Sequence, residues 1–330
     1  MSESRRPLVN LLYLVTVFLS AFLLFQVQPL ISKYILPWFG GSPAVWTTCM
    51  LFFQVALFGG YIYAHLLVAR FNPKMQAVVH VVVLATALSF LPIMPDAVWK
   101  PDTAGNPSGR ILLLLAVTVG LPYFALSATG PLLQGWFLQA VPGRTPYRLY
   151  ALSNAGSLLA LLSYPFAFEP RMTTQLQAML WSWSFGAFAV ACTLCAIVMA
   201  LRTTSVSPEA AANDAAPALD PQPLTLDHPA QPPDATPDVA PSGGQIGLWF
   251  ALAAVPSVML LATTSQVCTD IAVVPFLWVL PLSLYLLTFI LCFDSDRWYQ
   301  RKLFGTSLMF FVAGTLLLLW DAAMSWRLVT

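Results

Sequence analysis

Charge is what this sequence has least of. Its 330 residues include 15 Lys and Arg and 14 Asp and Glu, so 9% are charged, where a soluble domain carries about 25%. So few charges cannot cover the surface of a water-soluble fold of this length. The bilayer is the solvent that this composition implies, with 58% hydrophobic residues and a mean hydropathy of +0.74. A net charge of +1 supplies neither a basic field for nucleic acid nor an acidic one for disorder.

Catalytic strings are missing too. No G-x-S-x-G, H-E-x-x-H, G-x-x-x-x-G-K-[ST] or G-x-G-x-x-G occurs, so the chain is read as a non-enzyme with no catalytic residue and no cofactor. His65 and His80 have no second ligand at i+3 or i+4, and no metal is expected. Cys192 and Cys195 form a C-x-x-C, but inside FAVACTLCAIVMA they read as small apolar residues at lipid depth.

What the sequence does have is long apolar runs. A helix needs about 20 such residues to cross the hydrocarbon core, and nine stretches qualify: 8–31, 45–68, 75–94, 111–140, 147–167, 174–201, 246–263, 271–293 and 303–320. The first begins like a signal peptide, but its apolar run exceeds the usual ~7–15 residues and reads as a retained helix. The fourth is long for one straight span, and Pro122, Gly130 and Pro131 are expected to kink or break it. The expected fold class is therefore all-α, a polytopic transmembrane helix bundle of about nine spans.

Residues 203–245 differ from the rest. They hold nine prolines and six acids but no Lys or Arg. Such a segment buries too little to offset its ordering entropy and reads as a disordered linker. It divides the chain into a six-helix bundle (1–202) and a three-helix segment (246–330), a 6+3 plan resembling that of major-facilitator transporters. The second half reads as incomplete, as in a truncated, split or shortened relative. Lys and Arg weighting of the short loops places the N-terminus and linker in the cytoplasm of a bacterial inner membrane, with Lys33, Lys100, Arg110, Arg171 and Arg327 on the far side.

Polar groups at membrane depth are costly and therefore informative. Gln28 and Lys33 precede LPWFGGSPAVW, where Gly40, Gly41 and Pro43 should separate two helices, with Ser42 as a cap. Lys33 reads either as an anion site or as a snorkelling interfacial residue. Asn154 shares a helix face with Ser157 and Leu161, and its amide must find a partner. Gly156 and the neighbouring serines, like Gly59 and Gly60, read as helix-packing residues. Glu169 and Asp270 are the acids best placed to face a substrate path, with an interfacial Glu169–Arg171 pair and an Asp270 helix cap as the alternatives.

Several strings together resemble a known bacterial family: FLLFQVQPLISKYILPWFGGSPAVWTTCMLFFQ, LPYFALSATGPLLQGWF, PYRLYALSNAGSLLALLSYPFAFEP and TDIAVVPFLWVLPLSLYLLTFIL. The family is that of the fused major-facilitator/spermidine-synthase proteins, whose membrane region precedes a cytoplasmic aminopropyltransferase-like domain. The resemblance spans nearly all of the chain outside the linker, and no residue here matches that domain's catalytic motif. It implies a transporter-like membrane protein for a small polar or cationic metabolite, polyamine-related in the family context. The alternatives are a membrane anchor that docks a separate soluble synthase-like partner, or a nonfunctional fragment of a split gene. The bilayer is the partner common to all of these.

Overall fold

The structure, a computed structural model, describes residues 6–40, 42–100, 107–140, 147–204, 242–270, 276–294 and 300–329. Among them the secondary structure is helical throughout, with no strand. In chain order the helices are α1 (Arg6–Phe39), α2 (Pro43–Arg70), α3 (Pro73–Leu88), α4 (Pro107–Leu115), α5 (Leu121–Ala140), α6 (Tyr147–Ser163), α7 (Thr174–Thr204), α8 (Gly243–Asp270), α9 (Phe276–Asp294) and α10 (Arg301–Val329). Among the described residues six segments are long and apolar enough to cross a membrane: Pro7–Phe39, Thr47–Arg70, Pro107–Ala140, Leu149–Phe168, Thr174–Arg202 and Gly243–Thr263. That is compatible with an integral membrane protein. The apolar stretches Pro73–Leu88 and Val279–Cys292 are shorter.

Each helix boundary has a local cause. Gly40, at φ +83°, ends α1 in a conformation that L side chains rarely adopt. Pro43 opens α2 at its first position, where a missing N–H costs nothing, although the Ser42 hydroxyl makes no capping bond. Gly41 lies outside the described residues. Asn72 caps α3 by accepting from the Met75 amide at 2.9 Å, and Pro73 follows it. The predicted stretch 75–94 ends early, because α3 stops at Leu88 and the chain turns through Ser89 and Phe90.

In the fourth stretch the helix is not broken at Gly130 or Pro131. The irregularity falls earlier, in a π turn at Ala116–Gly120. A proline at position i has no N–H and crowds the carbonyl of residue i−4. For Pro122 that residue is Thr118, inside the π turn, whose wider spacing gives the ring room. A second π turn, Tyr164–Phe168, continues α6 and contains Pro165 itself, whose i−4 residue, Leu161, lies in the preceding regular helix.

Helix α1 is the element around which the others gather. It packs most extensively on α6, then on α7 and α5, while α2 lies on α5 and α3 on α7. One apolar core joins these helices, with Tyr13, Tyr123, Trp136, Trp181, Phe185 and Phe188 fully buried. Helix α9 adds to the outer side of α6 through Val279, Leu286 and Leu161. The described residues of α8 and α10 are almost all exposed and mostly large and apolar. Water would penalise such faces, whereas lipid would not.

Apolar burial cannot drive helices together inside a bilayer, so close backbone approach matters more. Two glycines supply it. A Cβ on Gly156 would stand 2.8 Å from the Phe18 carbonyl oxygen of α1, and one on Gly60 would meet Ser127 of α5. Gly130 has open space around it. Gly156→Ala should therefore lower stability by about 1–3 kcal/mol, and Gly130→Ala should raise it by about 0.5–1 kcal/mol. Melting temperatures of the detergent-solubilised variants test this, and equal shifts would remove Gly156 from its role in the α1–α6 contact.

Candidate functional site

The polar residues of the core divide into two groups. The first lies where the C-terminal part of α1 meets the end of α6. Lys33 Nζ stands 3.4 Å from Glu169 Oε1, and the two side chains are 35% and 47% exposed. Two residues singled out in the sequence are thus brought together from positions 136 apart. The π turn carries Glu169, whose amide donates to the Tyr164 carbonyl at 2.8 Å, a bond spanning five residues rather than four.

Glu169 does not pair with Arg171, which corrects one of the two readings of these residues. The reason is Pro170. In an α-helix the Phe166 carbonyl would accept from residue 170, but proline has no N–H to give. The Arg171 guanidinium folds back and donates to that carbonyl instead. Gln177, at the start of α7, closes the same turn by donating to the Met172 carbonyl at 2.9 Å and more weakly to Phe168 at 3.4 Å.

Two buried polar atoms at this end have no hydrogen-bond partner among the described residues: the Tyr164 hydroxyl and Gln177 Oε1. Tyr164 is 6% exposed and Gln177 4%. Glu169 and Tyr34 are the ionisable groups near enough to act on the Tyr164 hydroxyl. Buried polar atoms are normally satisfied, so such a pair beside a half-exposed ion pair marks a place where a ligand or water would be held.

Gln28 lies five residues before Lys33 on α1, about 7.5 Å along the axis. Its amide donates to the Tyr123 hydroxyl of α5 at 3.3 Å. Asn154 does not join the group, because its amide donates to the Tyr150 carbonyl one turn back on its own helix, at 2.9 Å. Asp270 is the last residue of α8, since the helix continues through the polar TTSQVCTD run. Residues 271–275, on which its reading as a cap of the following helix depends, lie outside the described residues.

The second group is one that sequence reasoning passed over. His80 of α3 is fully buried and meets the Tyr63 hydroxyl of α2 through Nδ1 at 3.3 Å. The ring of Trp136 stands edge-on to His80, and its indole N–H donates to Gln76 Oε1 at 2.9 Å. Gln76 in turn donates to the Phe71 carbonyl at 2.8 Å. The chain Trp136–Gln76–Phe71 fixes α5 to the start of α3. Gln76 and His80 stand four residues apart, and that spacing was the available signal for a shared helix face.

Two further interhelical bonds tie α7 to α1: Trp181 Nε1 donates to the Leu23 carbonyl at 2.9 Å, and the Tyr13 hydroxyl donates to the Cys195 carbonyl at 3.2 Å. Cys192 and Cys195 are buried free thiols. Cys195 Sγ lies 3.6 Å from Thr16 Oγ1.

No family model matches the chain, and neither the curated proteins nor the solved structures contain a match to it.

A half-exposed ion pair contributes at most about 1 kcal/mol, so Lys33→Met and Glu169→Gln should barely move the melting temperature. Lys33→Glu should lower it, and adding Glu169→Lys should restore it; no recovery in the double variant would mean that the two side chains do not interact. Separately, Trp136→Phe strands a buried amide oxygen and should cost about 1–3 kcal/mol. In a double-mutant cycle, Gln76→Ala and Trp136→Phe should together cost less than the sum of the two.

Proposed function

We propose that this chain is a multi-pass protein of the bacterial inner membrane with a cytoplasmic N-terminus, transporter-like in function, acting on a small polar or cationic metabolite. In this reading nine spans stand in a 6+3 arrangement about the 203–245 linker, as in a major-facilitator protein with an incomplete second half. The observation that carries the reading is the ion pair between Lys33 and Glu169 at 3.4 Å, which joins α1 to the end of α6. An interhelical pair of this kind contributes little to stability, yet charge near a bilayer is expensive and its usual use is a path for ions or solutes. The π turn that presents Glu169 supports the same reading, because such turns recur at functional sites. Lys33 and Glu169 are the residues to which substrate handling is assigned.

The second reading is an anchor for a soluble synthase-like enzyme, favoured by the resemblance of the GGSPAVW and LYALSNAGSLLALLSYP strings to the fused family. It requires no solute path. Reconstituted proteoliposomes separate the two. Transport predicts uptake of radiolabelled small metabolites that falls at least about tenfold in Lys33→Met and Glu169→Gln, at unchanged protein level. Wild-type vesicles no more permeable than empty ones, together with a soluble enzyme co-purifying in stoichiometric amount, would replace it with the anchor reading.

A further inference from the structure

We infer that the site at the α1–α6 end is built for a zwitterion, a small molecule carrying one carboxylate and one ammonium group, as a free α-amino acid does. The inference rests on the transporter-like reading and narrows its substrate class.

Among the described residues of α1 to α7 and the turns between them, the acids are Asp96 and Glu169. Asp96 is exposed and caps the Ala97–Trp99 turn, accepting from the Val98 amide. Glu169 is the acid paired with Lys33, 3.4 Å from it. Seen by an approaching solute, the pair is neutral. A dication such as a polyamine would need at least two carboxylates and would meet the Lys33 ammonium beside the one it finds. A simple anion meets the opposite obstacle at Glu169. A ligand with both charges has neither difficulty, because each of its ends can take the place of one partner of the pair. The desolvation of four charges is then offset by two charge-assisted contacts rather than one.

The uncharged atoms fit the same ligand. Gln177 Oε1 can only accept, and its amide is held against the Phe168–Met172 turn that contains Glu169. It suits an ammonium N–H. The Tyr164 hydroxyl can donate, and it suits a carboxylate oxygen. Both side chains are more than nine-tenths buried, and both lack a partner among the described residues. Lys33 and Glu169 are exposed enough to part without unpacking the core, so the pair can open when the ligand enters.

The test is binding to the purified full-length chain in detergent, by calorimetry. The probes are the common L-α-amino acids, the N-acetyl and carboxamide derivatives of the best binder, and spermidine. The expected result is that one or more amino acids bind, and that removing either charge from the ligand weakens binding about tenfold or more. The variants should then invert the preference. Lys33→Met should favour the carboxamide, which has lost its carboxylate, and Glu169→Gln should favour the N-acetyl derivative, which has lost its ammonium. A variant that binds its matched derivative is folded, so misfolding cannot imitate this outcome. No binding by any amino acid, or spermidine binding that Lys33→Met leaves unchanged, overturns the inference. Its failure is distinguishable from that of the transport reading. Amino-acid binding without flux in proteoliposomes keeps the zwitterion site and removes transport, whereas spermidine flux without amino-acid binding does the reverse.

Discussion

The rest of the bundle depends on how closely α6 lies against α1. At Gly156 the two backbones come near enough that the missing Cβ would sit 2.8 Å from the Phe18 carbonyl. A backbone carbonyl in a helix cannot move aside, so glycine sets this distance. Inside a bilayer the approach must be its own reward through dispersion contacts, because lipid is as apolar as the helices it touches. Once α6 is seated there, its far end comes over the C-terminal part of α1, and Glu169 reaches Lys33. The ion pair is a consequence of the packing and does not cause it. Its two ends are half exposed, and such a pair is too weak to hold two helices of this size together.

Proline shapes the same end of the molecule for a related reason. Away from water, backbone donors and acceptors must be satisfied within the protein. Pro165 and Pro170 each remove a donor from the end of α6. The first is accommodated by the π turn and the second by Arg171, which donates to the Phe166 carbonyl. Arg171 is thereby engaged, and Glu169 is left to Lys33. Two residues without N–H groups thus decide which cation Glu169 meets.

Much of the architecture was legible in the sequence because it depends on one-dimensional quantities. Apolar run length and the turn chemistry of Gly40 and Pro43 located the helices and the α1–α2 corner. Small residues at 60 and 156 pointed to close packing. What sequence could not supply was partnership. Lys33, Gln28, Asn154 and Glu169 stood out equally as polar residues among apolar ones, and nothing in their spacing distinguished a residue bonded to its own helix from one bonded across the bundle. Asn154 proved to be the first kind and Lys33 the second. Prolines misled for a similar reason. Pro131 lies within a continuous helix, whereas Pro122 follows one π turn and Pro165 lies inside another, and the sequence around them does not tell these cases apart.

The two polar groups of the core also differ in the kind of chemistry they permit. In the Trp136–Gln76–Phe71 chain each donor named has an acceptor, and both side chains are buried, Trp136 fully. Such a chain resists opening, since breaking any bond strands a buried atom. The Lys33–Glu169 group is its opposite: the charges are half exposed, the bond is long, and adjoining buried atoms are unsatisfied. A site that must release what it binds has to be of the second kind, because a fully satisfied network has no exchange to offer a ligand. Fixation therefore belongs to the Trp136–Gln76–Phe71 chain itself, beside which the buried His80 Nε2 has no partner among the described residues, and exchange belongs to the half-exposed pair at the α1–α6 end.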